Sequence, residues 1–466
     1  MGSVTSSLIY LLATLSLAHA DASYGPHPQP EPRSIRRAQD GKGPLGGRAV
    51  ANVVNASGEG GEGKVLWYPL KQEALNETVV RRRRRLVKEV VSEGSLGKRQ
   101  SRWTWKHMDD FRGYLYTMEV EVGDPPQAVR LTPDTGSWET WVNPKCESAA
   151  SVPLCEMNGF YQPANSKLAT TNNEPFAFGY GSGFATGMYY VDRIYFRDED
   201  VGITQKFGVA LDSGYAVSGI LGLGYGSAYN INYNNIVDSL VSHSIINGPI
   251  YSVALAPIGA GTSEIVFGGV NLARYSGYLK PVPVWPPVDE QPENWVHFWV
   301  NLTSVTITAP SGKLLPIYAA GRNTKPINAL VDTGVTYSYL PPAVVDALAV
   351  AFGAYREVNE WKVDCAVRDM AGTVNFGFGD DLVVHVPYSD FFLWLQDNTC
   401  TLGAQKREEE DDSMLGDTFL RGAYVVYDQM TNNLWMADYK DCGSQVAEVG
   451  RTPGDPGKCQ GLDDAA

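Results

Sequence analysis

The sequence predicts an all-β chain built from two similar halves, and three observations carry that expectation. The first is composition: 466 residues hold 48 Gly, 25 Tyr and 11 Trp, which suits many short strands joined by tight turns. The second is a repeated tripeptide. Asp134-Thr135-Gly136 follows the β-prone run Ala128-Val129-Arg130-Leu131, and Asp332-Thr333-Gly334 follows Ala329-Leu330-Val331, so each motif sits where a strand enters a turn. One such tripeptide arises by chance in about one chain in ten of this length, and two in matching contexts in roughly one in a hundred. The third is spacing. Ile220-Leu221-Gly222 and Met414-Leu415-Gly416 end 86 and 82 residues beyond the two motif glycines, as a duplicated lobe would have it. The length accommodates two or three sizeable cores, and no sustained heptad supports a coiled coil.

In chain order, residues 1–20 read as a secretory signal. Leu8-Ile9-Tyr10-Leu11-Leu12-Ala13-Thr14-Leu15 is a short apolar core, followed by small residues at Ala18-His19-Ala20. The run is too short for a membrane anchor, and the polar C-terminal tail lacks a lipid-anchor signal. Residues 21–99 are rich in Pro, Gly and Arg and contain no Cys. The first 99 residues carry 15 basic and 9 acidic side chains, leaving 23 basic and 43 acidic for the rest. A basic leader therefore precedes a strongly acidic body. The leader ends in Lys98-Arg99 and reads as a pro-segment removed by a dibasic-processing protease. The run Arg81 to Arg85 is the one nucleic-acid-like feature, and a secretory leader argues against that use.

After residue 100, Tyr116-Thr117-Met118-Glu119-Val120-Glu121-Val122 alternates as a strand, and Asp124-Pro125-Pro126 turns the chain back toward the first motif. Residues 178–187, Phe-Gly-Tyr-Gly-Ser-Gly-Phe-Ala-Thr-Gly, surround Tyr180 with small residues and read as a hairpin. Pro281 to Pro292 holds five prolines and reads as an exposed crossing or loop insertion. Gln405-Lys406-Arg407-Glu408-Glu409-Glu410-Asp411-Asp412 reads as a charged, solvated loop. Asn301-Leu302-Thr303 is the one glycosylation sequon beyond the leader.

Two carboxylates brought together suit water-activating hydrolysis, in which one group accepts a proton and the other donates one. Close carboxyls cannot both ionise cheaply, so they share a proton. With both Asp-Thr-Gly turns, the glycine-rich hairpin and the run from Leu415-Gly416-Asp417-Thr418 to Val426-Tyr427-Asp428, the chain resembles the pepsin-like aspartic proteases, in their fungal secreted form, over nearly all of residues 100–440.

That resemblance implies a bilobal acid-protease fold with a deep cleft. It implies an N-terminal β lobe at 100–280, a C-terminal β lobe at 281–441 and a tail at 442–466. Asp134 and Asp332 would be catalytic. Thr135 and Thr333 would hold the turns together across the lobes, Gly136 and Gly334 would let backbone pass close to the carboxyls, and Ser137 would support Asp134 through its hydroxyl. Tyr180, Gly181 and Ser182 would form a substrate-covering flap beside Trp141. Disulfides would join Cys146 to Cys155 and Cys365 to Cys400, with Cys442 and Cys459 left to pin the tail. Six cysteines allow 15 pairings in principle. Val65-Leu66-Trp67-Tyr68-Pro69-Leu70-Lys71 is similar to the strand that opens such pro-segments, and a basic pro-segment over an acidic cleft implies a zymogen.

Three residues depart from the family pattern: Val335 where a hydroxyl residue is usual, Pro133 before the first Asp, and Trp138 where a small residue is common. Valine cannot donate to Asp332, which implies an activity optimum at less acid pH. Asp417 reads as structural. No Cys-x-x-Cys pair supports zinc, and no nucleophile-elbow motif supports a Ser-His-Asp hydrolase. The expectation is a secreted, extracellular aspartic endopeptidase without metal or cofactor, with the vacuole as the alternative location. It would act as a monomer on protein or peptide substrates and bind pepstatin-like inhibitors, with no nucleic acid and no membrane anchor. Two alternatives stand beside it: a catalytically silent binding relative, and a dibasic-specific yapsin-like processing protease suggested by the acids at 408–412.

Overall fold

A computed structural model describes residues 115–196, 202–227, 229–258, 261–292, 295–357, 360–394, 399–407, 413–449 and 453–459, and the backbone of 104–110. The expected signal (1–20), pro-segment (21–99) and acidic stretch 408–412 lie outside the described residues.

The architecture is all-β, and its two halves repeat one plan. In the first, the motif strand Gln127–Asp134 runs parallel to Gly219–Gly222, with Asp134 level with Gly222. In the second, Ile327–Val331 runs parallel to Ser413–Leu415, with Val331 level with Leu415. The short strand after each motif crosses that partner antiparallel: Trp141 pairs with Ile220, and Tyr339 with Met414. The apolar-apolar-Gly segments thus lie beside the Asp-Thr-Gly turns in both halves. Close approach forces glycine there, because a Cβ on Gly222 would lie 2.4 Å from the Trp138 carbonyl carbon and one on Gly416 would lie 2.3 Å from the Val335 carbonyl oxygen.

The halves share a sheet. Strands of the second half, Ala423–Asp428 and Asn433–Asp438, continue the ladder from Ile250–Ala254 and Ser263–Phe267, within one 13-stranded sheet among the described residues. This joins what the sequence presents as separate lobes. At the join Tyr251 stacks on Tyr427 with ring centroids 5.0 Å apart. The flanking sheets of the second half, of five, four and four strands, close around Val300, Leu302, Val345, Phe376 and Phe419, all fully buried.

Two stretches differ from the sequence reading. Lys280–Pro283, read as part of an exposed crossing, is an edge strand paired to 433–436, with Val282 buried and Pro281 and Pro283 exposed. Proline is tolerated on an edge, where its missing N–H can face outward. Gln405, read as loop, lies in the strand Ala404–Lys406, parallel to Ser338–Leu340, and is buried. Its alternation with charged neighbours hides a strand inside a polar run.

The tail is tied down. Val446–Glu448 pairs with Gly269–Asn271, and the disulfide Cys442–Cys459 closes around Ala273, whose carbonyl accepts from the Cys442 N–H at 3.0 Å. Two further disulfides join Cys146 to Cys155 and Cys365 to Cys400. Among the described residues no helix is long and apolar enough to cross a membrane.

Candidate active site

The two Asp-Thr-Gly turns meet at the seam between the halves. The Gly136 N–H donates to Asp134 Oδ1 at 2.8 Å and to Asp332 Oδ1 at 3.1 Å, so one amide spans both carboxyls. The Gly334 N–H donates to Asp332 Oδ1 at 2.7 Å. Neither glycine tolerates a side chain: a Cβ at 136 would lie 2.2 Å from Asp332 Oδ2, and one at 334 would lie 2.6 Å from Asp134 Oδ1.

The threonines cross over. The Thr135 N–H donates to Thr333 Oγ1 and the Thr333 N–H to Thr135 Oγ1, each at 3.1 Å. Thr135 Oγ1 then donates to the Val331 carbonyl at 3.0 Å, and Thr333 Oγ1 to the Pro133 carbonyl at 2.8 Å. Each hydroxyl is therefore used as acceptor and donor at once, which fixes the turns against each other. It also accounts for Pro133: the position supplies a carbonyl, which proline retains.

The surroundings of the two carboxyls differ. Ser137 Oγ donates to Asp134 Oδ2 at 2.5 Å, and the Ser137 N–H to Oδ1 at 3.1 Å. The equivalent side chain three residues after Asp332 is Val335, which has no donor. Burial raises the proton affinity of both carboxyls, which the one Gly136 amide holds side by side. Asp332 is pushed well above the usual carboxylate range by burial and then by the charge of Asp134. Asp134 is held back by Ser137. The result is a buried carboxyl pair whose ionised forms burial disfavours, Asp332 more than Asp134.

Tyr180 ends the strand Pro175–Tyr180, and Gly181 and Ser182 form the tip before Gly183–Phe196 returns. The fully buried Trp141 donates its indole N–H to the Tyr180 hydroxyl at 2.8 Å. Burial, and then the charge of Asp134, hold that hydroxyl neutral far above its usual range. We expect Tyr180→Phe to lower kcat/KM about tenfold by releasing the ring from Trp141; stopped-flow cleavage of one peptide checks it. Asp417 is buried behind the second turn, where its N–H donates to the Val335 carbonyl at 2.8 Å. Asn301 is half-buried on Trp299–Leu302.

Sequence reading missed two groups beside these turns. Glu139 is a buried carboxyl that accepts from the Tyr189 hydroxyl at 3.1 Å and from the Tyr233 hydroxyl. Burial raises its proton affinity, opposed by those two hydroxyls. His297, from the second half, packs against Trp138 with ring centroids 5.2 Å apart, and burial pushes its pKa down to about 4. It therefore stays neutral at mildly acid pH. As pH falls from about 6.5 toward 4, the unfolded chain takes up a proton here before the fold does, so stability falls over that window.

A duplicated β chain whose two Asp-Thr-Gly turns interlock around a buried carboxyl pair is a pepsin-like aspartic endopeptidase. The chain belongs to the eukaryotic aspartyl protease family, whose model matches residues 115–439. Among its relatives, secreted aspartic protease 5 of Candida albicans is 31% identical over 342 residues, covering 70% of this chain and 76% of the relative. Candidapepsin-3 of Candida albicans is 30% identical over 341 residues, covering 70% and 79%. The probable aspartic-type endopeptidase opsB of Aspergillus oryzae is 30% identical over 360 residues, covering 72% and 71%.

Proposed function

We propose that this protein is a secreted endopeptidase, made as a zymogen, in which Asp134 and Asp332 together activate a water molecule and protonate the leaving nitrogen. The observation that supports this reading most is the single Gly136 amide donating to both carboxyls, which holds them as one unit. In the reacting state the pair holds one proton. The ionised carboxyl accepts a proton from the water as its oxygen attacks the peptide carbonyl. The protonated one hydrogen-bonds that carbonyl, and the amine leaves with a proton returned from the pair. Asp134, with the Ser137 donors, is the better site for the charge, and Asp332 for the proton. Tyr180 and Trp141 close the site from above and exclude water.

Residues 1–20 would direct secretion, in keeping with the relatives' names. Residues 21–99 would be removed after Lys98-Arg99, leaving lobes at 100–280 and 281–441, a tail at 442–466 and an active monomer. The proposal is tested by incubating the processed protein with denatured haemoglobin across acid to neutral pH. Pepstatin-sensitive cleavage is the expected result. No cleavage at any pH by folded, processed protein would assign the chain to a silent binding role.

Val335→Thr supplies the missing donor. A hydrogen bond to an ionised carboxyl lowers its proton affinity, so Asp332 would lose its proton at lower pH. The alkaline limb of the pH–rate profile should move toward acid by about one unit, and kcat measured from pH 3 to 7 checks it.

A further inference from the structure

Glu139 and Trp141 follow Ser137 on one short stretch, and both reach the hairpin that carries Tyr180. Trp141 holds the Tyr180 hydroxyl at the end of the outgoing strand. Glu139 meets the base of the hairpin. Its Oε1 accepts from the hydroxyl of Tyr189, which stands on the returning strand Gly183–Phe196, at 3.1 Å. Its Oε2 accepts from the Tyr233 hydroxyl. The two tyrosine rings meet edge-on at 76°, with centroids 5.8 Å apart. Phe176 and Phe178, on the outgoing strand with Tyr180, stack on each other at 4.6 Å and pack on Tyr189 at 5.5 and 6.3 Å. One buried carboxyl therefore ties the segment after Asp134 to both strands of the hairpin.

Charges surround this tie. Lys206 Nζ lies 4.2 Å from the Tyr189 ring centre and 4.6 Å from that of Tyr233, and it donates to both oxygens of Glu174 at 2.8 Å. Glu174 directly precedes the outgoing strand, and its carbonyl accepts from the Tyr189 N–H at 2.8 Å. The groups that face Glu139 are thus the Tyr189 and Tyr233 hydroxyls, the Lys206 ammonium and the Glu174 carboxylate, with the Tyr180 hydroxyl beyond them. An ionised Glu139 offers an acceptor to each tyrosine. When it takes up a proton, one oxygen becomes a donor, and one tyrosine hydroxyl loses its acceptor. A buried hydroxyl left without a partner destabilises the arrangement that strands it.

We propose that Glu139 is a positioning residue for substrate binding: its carboxylate braces the base of the Tyr180 hairpin against the Asp134 segment, and its protonation in acid releases that brace. The inference rests on the dyad reaction and the covering role of Tyr180 proposed above. Glu139 acts through Tyr189, Phe176 and Phe178 and does not touch the reacting atoms. Burial lifts its proton affinity, while the two hydroxyls and then Lys206 oppose the rise. The braced form therefore prevails on the less acid side and is lost as pH falls. KM should rise in acid, while kcat keeps the profile set by the dyad. Glutamine at 139 has one acceptor oxygen and holds the released form at every pH.

The test uses processed enzyme and one end-blocked peptide without titrating side chains, with kcat and KM measured separately from about pH 3 to 6. Wild-type KM should be about fivefold higher at the acid end, the worth of one hydrogen bond. Glu139→Gln should show the acid-end KM throughout, with the kcat profile of wild type. Lys206→Met removes a cation that favours the carboxylate, so the midpoint of the KM change should move up by about half a unit or more. Tyr233→Phe removes a donor and should move it the same way. If Glu139→Gln is not secreted, these two midpoints decide, and unmoved midpoints overturn the brace. A wild-type KM that is flat across the range, or a Glu139→Gln enzyme with the wild-type KM profile or with only a uniform loss of kcat, overturns the brace alone. If wild type cleaves no peptide, or cleaves it in excess pepstatin, the dyad reading fails and the brace falls with it.

Discussion

Asp332→Asn should reduce kcat/KM for any peptide by about a thousandfold or more. Asparagine nearly matches the shape and its side-chain oxygen can accept from the Gly334 N–H, which now donates to Asp332 Oδ1 at 2.7 Å. What it removes is the proton that the pair must share. The fold should not suffer. Asp332 is a buried carboxyl whose ionised form is disfavoured by burial and by Asp134, so a neutral amide relieves both. Thermal unfolding at neutral pH should occur at the same or a higher temperature than in wild type. A variant that keeps more than a tenth of the activity would remove Asp332 from the reaction.

The second large effect is on stability. Arg274 lies between Glu264 and Asp441, with Nε 3.3 Å from Glu264 Oε1 and Nη1 2.5 Å from Asp441 Oδ1. The Arg274 and Glu264 side chains are 5% and 1% exposed. Asn271 adds a donor to Glu264 Oε1 at 2.6 Å. This cluster ties the shared sheet, through Ser263–Phe267, to the chain entering the tail at Cys442. Arg274→Met keeps the stem and removes the cation, which strands buried acid. We expect a loss of roughly 3–5 kcal/mol. The unfolding temperature should drop by about 5 °C, measured by calorimetry on the processed enzyme. Arg274→Lys should recover only part of it, since an ammonium cannot face both acids in a fixed fork.

The residues legible in sequence were those whose partners are local or repeated. An Asp, Thr and Gly at a strand-to-turn junction make a short backbone structure, and its duplication raised it above chance. Tyr180 was legible because small residues on both sides leave one ring to do anything. Glu139 was not, because its partners Tyr189 and Tyr233 lie 50 and 94 positions away and no local pattern announces them. The alternation Trp295, His297, Trp299 could have been read as a half-exposed strand face. Its relation to the dyad could not, since the ring that joins it, Trp138, belongs to the other half. The shared sheet was hidden for the same reason: strand Ala423–Asp428 reads as an apolar and aromatic run up to its final Asp, and nothing in it names Ile250–Ala254 as its neighbour. The prolines at 281 and 283 masked an edge strand, because proline is read as a breaker unless the strand's place in the sheet is known.

The central claim is that Asp134 and Asp332 act as one acid–base unit holding a single proton. The most direct test is the pH dependence of kcat/KM for one internally quenched peptide, measured for processed wild type with and without pepstatin. The account predicts a bell-shaped profile on the acid side of neutrality, from a pair active only when singly protonated, and its complete suppression by one pepstatin per molecule. Cleavage that rises without limit toward alkaline pH, or that persists with pepstatin in excess, would contradict it.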